Sequence, residues 1–153
     1  IVHVCGTAPE ATRRLYRSFH LPAEVREFVS DMPGLLRGAS LAVSRAGATT
    51  LAELAACGVP AVLLPYRFAT DDHQRANGGV FVQSGGAVLV DSSTLPGRLD
   101  GHLATTLSPL LTSPLRLQRM GQAIRRISRP EATSRVANHL EPFFAPKTRA
   151  HAA

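Results

Sequence analysis

The chain has 153 residues, 44% of them apolar, which suits one domain with a true core and excludes a disordered chain. No apolar run approaches the roughly 18–20 residues that cross a bilayer as a helix. Net charge is +6, yet the basic residues are scattered, aromatics are only 5%, and no nucleic-acid-binding motif accompanies them. This argues against nucleic acid and leaves an anionic membrane surface or a phosphorylated ligand.

The amino terminus, Ile1-Val2-His3-Val4-Cys5-Gly6, has neither a basic leader nor an initiator Met. It reads as a strand over 2–5 and a turn at Gly6-Thr7, and the chain is expected to start inside a larger protein. Pro9 to His20 follows as a helix, with Leu15 and Phe19 on one face. Val25 to Val29 reads as a second strand. Asp31 to Leu36 reads as a helical turn capped by Asp31, with Pro33 tolerated in the first turn. Leu41 to Ser44 is a third strand, and a helix is expected from about Thr50 to Cys57, stopped by Gly58. Pro60 to Leu64 is a fourth strand and Pro65 to Thr70 a loop. A helix is expected over 71–83, with Asp71 or Asp72 at its start. Gly85-Gly86 ends it, and Ala87 to Val90 is a fifth strand. Helices are expected over Leu95–Leu111, Pro114–Ile127 and Pro130–Leu140, and a frayed tail over 145–153. Strands alternating with helices predict an α/β fold: a Rossmann-like parallel sheet with helices on both faces. Cys5 and Cys57 are isolated and read as reduced, small core residues.

The stretch from Ala42 to Asn77 is the most informative. Strand, glycine turn, helix, glycine stop and strand make one βαβ unit. The turn Ser44-Arg45-Ala46-Gly47-Ala48-Thr49-Thr50 lies at the carboxyl end of a strand and the amino end of a helix, the edge where open parallel sheets bind ligands. Free N–H groups and the positive helix end suit a phosphate there. Glu53 supports two readings. Thr50-Leu51-Ala52-Glu53 has the capping-box spacing, and a carboxylate one turn into this helix can also accept both hydroxyls of a ribose. The run Asp71-Asp72-His73-Gln74-Arg75-Ala76-Asn77 follows a strand at the same edge. Gln74 and Asn77 share a helix face and suit sugar hydroxyls; the alternative is a solvated first turn. Adjacent Asp71 and Asp72 diverge on a helix, so no metal site is expected, and no Ser-His-Asp arrangement or P-loop is present.

These residues resemble a known family. His3-Val4-Cys5-Gly6, Val25-Arg26-Glu27-Phe28-Val29-Ser30-Asp31-Met32, Ser44 to Glu53, Gly58-Val59-Pro60-Ala61, Asp72-His73-Gln74 with Asn77, and Ala132 to Ala137 are similar, in order and spacing, to the carboxyl-terminal donor domain of the MurG family. These are UDP-GlcNAc transferases of bacterial peptidoglycan synthesis in glycosyltransferase family 28. The resemblance implies a GT-B fold, with residues 1–144 as the UDP-sugar-binding domain lacking its first strand. It implies that the Val29 backbone bonds uracil and that Gly47, Ala48, Thr49, Thr50, Leu51 and Ala52 line the diphosphate and nucleoside. Glu53 would take the ribose hydroxyls; Gln74, with His73 and Asn77, would hold the GlcNAc. The family often has two amides where His73-Gln74 stands.

The implied reaction moves GlcNAc from UDP-GlcNAc to lipid I with inversion, making lipid II, and needs no cofactor or metal. No catalytic residue is assigned within this chain. The general base and the lipid-acceptor site are expected in an amino-terminal domain absent here, so this chain alone is expected not to turn over. The resemblance also implies a cytoplasmic protein, peripheral on the membrane's inner face. Two alternatives stay open: a UDP-GlcNAc 2-epimerase-like enzyme, whose paired glutamates are not seen, and a non-catalytic UDP-sugar-binding subunit of a split glycosyltransferase.

Overall fold

The computed structural model describes residues 1–66, 72–91 and 99–144. It divides into two compact units, residues 1–39 and residues 40–153. Every strand pairing is parallel, and the pairings fall into two sheets.

In the first unit, β1 (Val2–Val4) pairs with β2 (Glu24–Arg26), His3 opposite Val25. The connection is α1 (Pro9–Ser18). His3 Nδ1 and the Tyr16 hydroxyl are 3.0 Å apart, with the rings edge to face, and Arg13 donates to the Val25 carbonyl, so both residues tie α1 to the strands. α2 (Met32–Arg37) begins as expected: the Asp31 carboxylate accepts the Gly34 N–H at 2.8 Å. Two expectations need correcting. α1 ends at Ser18, so Phe19 lies past its last turn, and both Leu15 and Phe19 are exposed. β2 ends at Arg26, because only Glu24 to Arg26 find partners on the three-residue β1. Val29 is therefore outside the strand.

The second unit holds a three-stranded sheet in the order β3 (Ala42–Ser44), β4 (Ala61–Leu63), β5 (Ala87–Leu89). β4 is central, and all three of its residues are fully buried. α3 (Ala48–Cys57) and α4 (His73–Gln83) make the two crossovers, and α5 (Leu99–Leu111), α6 (Pro114–Arg126) and α7 (Ala132–Phe144) follow. One core cluster is Val62, Val90, Leu110 and Met120, with Leu41, Val88, Leu103, Leu107 and Leu117 packed against it, and Leu51, Leu54, Leu63 and Ile124 are fully buried. Each fully buried side chain contributes about 1.5–3 kcal/mol on burial.

At the amino edge of this sheet, α6 packs tightly. A Cβ on Gly86 would fall 2.5 Å from Ile124 Cβ, and one on Gly121 would fall 2.7 Å from the Gly58 carbonyl. α3 stops at Gly58 with φ 71°, where glycine carries no steric cost, and Arg125 Nη2 donates to the Cys57 carbonyl at 2.9 Å. Cys5 and Cys57 are free thiols, but both are half-buried rather than core residues. The last helix starts at Ala132, so Pro130 precedes it, and it runs on to Phe144. The expectations for residues 67–71, 92–98 and 145–153 lie outside the described residues. No helix among the described residues is long and apolar enough to cross a membrane.

Candidate functional site

β3, β4 and β5 are parallel, so their carboxyl ends share one edge. At that edge β3 runs into Arg45, Ala46 and Gly47. Ala46 is fully buried and anchors the turn. Gly47, not Thr50, is the helix cap: it is extended (φ −70°, ψ 140°), and α3 begins at Ala48. The Gly47 carbonyl accepts the Leu51 N–H at 3.0 Å, the first bond of the helix. No side chain caps this end, which leaves the N–H groups of Ala48, Thr49 and Thr50 for an incoming acceptor. A Cβ on Gly47 would meet nothing within 4 Å, so the turn faces open space.

This start decides the role of Glu53. With Gly47 as cap, Thr50 is the third helical residue and Glu53 the sixth, so the capping box is not formed. Glu53 instead lies one turn beyond Thr49 and Thr50 on the same helix face, half-buried and, among the described residues, without a side-chain hydrogen bond or ion pair. Leu51 points the other way, 2% exposed in the core, so only its main chain can serve the site.

The loop after β4 supports this turn. Arg45 donates to the carbonyls of Leu64 and Pro65, both at 3.3 Å, and its guanidinium lies 5.6 Å from the centre of the Tyr66 ring. The Tyr66 N–H donates to Gln74 Oε1 at 2.9 Å. The Gln74 carbonyl thus accepts a main-chain hydrogen bond, which leaves its NH₂ as the donor for a ligand. α4 starts at His73. Asp72 occupies its cap position but makes no side-chain cap bond, a correction to the expectation for this helix. Gly78 brings α4 against the turn: a Cβ there would lie 3.4 Å from Ala46 Cβ and 2.9 Å from Leu89 Cδ1. Gln74 and Asn77 are half-buried, one turn apart, and His73 is exposed.

In the first unit, Val29 is buried and lines a cleft of about 390 Å³ with Arg26, Phe28, Ser30, Asp31, Gly34 and Leu35. Among the described residues, no hydrogen bond uses the Val29 N–H or carbonyl. Among the described residues, no cluster of three His, Cys, Asp or Glu side chains could hold a metal ion. The sequence reading gave no role to Arg45, Tyr66, Arg75 or Asp91. The available signal was the i, i+3 spacing of Asp72 and Arg75, together with Asp91 placed directly after a strand.

A parallel α/β sheet with an open helix start at its carboxyl edge is the Rossmann-like arrangement, which the domains of GT-B glycosyltransferases share with other doubly wound folds. The crystal structure of Acinetobacter baumannii MurG superposes with a TM-score of 0.82 at 33% identity, over 93% of this chain and 41% of that one. The glycosyltransferase VinC, solved in complex with dTDP, has a TM-score of 0.58 at 20% identity and shows the fold alone. The chain belongs to the glycosyltransferase family 28 C-terminal domain family, whose model matches residues 1–136.

Two bacterial relatives carry the name UDP-N-acetylglucosamine–N-acetylmuramyl-(pentapeptide) pyrophosphoryl-undecaprenol N-acetylglucosamine transferase. That of Anaeromyxobacter sp. (strain Fw109-5) is 41% identical over 90% of this chain, and that of Alkalilimnicola ehrlichii is 43% identical over 84%. The chain spans 36% and 35% of their lengths, respectively.

Proposed function

We propose that residues 1–144 are the donor-binding domain of an inverting glycosyltransferase that moves GlcNAc from UDP-GlcNAc to lipid I. The observation that carries this reading is the grouping at one sheet edge: an uncapped helix start, Glu53 one turn into that helix, and Gln74 held through its carbonyl by the Tyr66 N–H. In this reading the Val29 main chain bonds the uracil. Gly47 to Ala52 cradle the diphosphate and nucleoside, and Glu53 accepts both ribose hydroxyls. Gln74, with His73 and Asn77, holds the sugar. As the acceptor hydroxyl attacks the anomeric carbon, the bond to the diphosphate oxygen breaks and negative charge grows on UDP. The α3 N–H groups and helix dipole face that charge and stabilise the leaving group.

The remaining length of the relatives is assigned the acceptor site, the general base and the contacts with an anionic, cytoplasmic membrane face. On this assignment the present chain binds donor without turnover.

Calorimetric titration with UDP-GlcNAc, UDP-glucose and UDP tests the reading. Binding on the order of 0.1–1 mM, about 4–5.5 kcal/mol, is expected, with UDP-GlcNAc preferred. Glu53→Ala removes two hydrogen bonds to a charged acceptor, worth roughly 1.5–3 kcal/mol, and should weaken every uridine ligand at least tenfold. A folded wild-type chain that binds no uridine nucleotide would refute the proposal.

A further inference from the structure

The first turn of α4 carries Gln74, and its start lacks a side-chain cap. Asp72, at its cap, is in the left-handed region (φ 53°), which L side chains rarely adopt, and supplies no cap bond. The turn is also fastened from outside. Arg75 pairs through Nη2 with the carboxylate of Asp91, just beyond β5, and its Nη1 lies 3.7 Å from Asp72 Oδ2. The Asp91 side chain is only 12% exposed, so its charge is largely withdrawn from water and depends on its protein contacts. Arginine suits this position because its planar fork reaches two carboxylates at once. The pair joins the start of α4 to the carboxyl end of β5, while the Tyr66 N–H joins Gln74 to the end of β4.

We propose that Arg75 is a positioning residue for donor-sugar recognition: paired with Asp91, it fixes the first turn of α4 so that the Gln74 NH₂ meets the sugar. It does so without touching the donor. This inference rests on the donor-site reading above. It predicts a specific split: UDP sits on α3 and should not depend on Arg75, whereas the added affinity contributed by the sugar should.

The test is calorimetry of UDP and UDP-GlcNAc with the whole chain and with Arg75→Met, Asp91→Asn, the double variant and Arg75→Lys, each shown folded by circular dichroism. The preference for UDP-GlcNAc over UDP should fall by up to about fivefold in each single charge-removing variant, the limit for a pair partly open to solvent. The double variant should be no worse than either single one. UDP affinity should hold, and Arg75→Lys should recover part of the loss. An unchanged preference, equal losses for both ligands, or additive losses in the double variant would overturn the proposal. Hydrogen exchange of the amides of residues 76–79 in the unliganded protein provides a readout independent of donor binding. Arg75→Met should speed exchange there and leave α3 unchanged; equal exchange would overturn the positioning role even if donor binds. Wild-type chain that binds no uridine ligand, but shows faster exchange in Arg75→Met, would instead place the failure in the donor-site reading and refute the sugar-recognition claim with it.

Discussion

Gly86→Ala tests whether α6 is seated on the sheet as described. The new Cβ would lie 2.5 Å from Ile124 Cβ, 2.8 Å from Ile124 Cα and 2.9 Å from its N. Carbon atoms pack at about 3.5–4.0 Å, so α6 must retreat by roughly 1 Å. Two of the three atoms are main chain and cannot swing aside, and Ile124 is fully buried. Overpacking of this kind costs about 1–3 kcal/mol, and the main-chain contacts place Gly86→Ala in the upper half of that range. For a chain of this size, that lowers the melting temperature by roughly 5–10 °C. Thermal and urea unfolding followed by circular dichroism would measure it.

Gly79→Ala is the control. Its Cβ meets nothing within 4 Å, so helix propensity should leave the protein unchanged or stabilise it by up to about 1 kcal/mol. Gly86 lies at the amino edge of the sheet, away from the candidate site, so UDP-GlcNAc affinity of folded Gly86→Ala should match wild type. A Gly86→Ala protein as stable as Gly79→Ala would refute the packing argument.

Gly58→Ala should cost about 1–2 kcal/mol in urea unfolding, because the residue is left-handed at φ 71° and the new Cβ also presses on the Arg125 guanidinium. Asp31→Ala removes the acceptor for the Gly34 N–H and should cost about 1 kcal/mol. Since Asp31 also borders the cleft beside Val29, a uridine titration of the same variant should show weakened binding if that cleft receives the base.

Much of the element order was legible because its signals are local. Gly58 after an apolar run, Asp31 before Pro33, and five short apolar segments each act within a few residues, through backbone preference and side-chain period. Boundaries were less legible. Thr50 carries a good capping side chain, yet the helix begins at Ala48, because the buried Ala46 fixes where the chain leaves β3 and Gly47 adopts the extended cap. That shift of two residues removed the capping-box role of Glu53 and left it one turn into the helix. Val25 to Val29 reads as a continuous strand, yet a strand lasts only as long as its partner, and β1 is three residues long.

The sequence by itself determined the α/β class, the glycine turn at a strand's carboxyl end and the candidate residues there, since these depend on composition, period and spacing along the chain. Tertiary structure alone decided how those residues are presented. Gln74 is held through its carbonyl by the Tyr66 N–H, Arg75 finds Asp91 beyond the rest of α4 and β5, and Gly78 matters because Ala46 and Leu89 stand against it. Each pairing spans eight residues or more. Packing sets such pairings, and no local propensity encodes them.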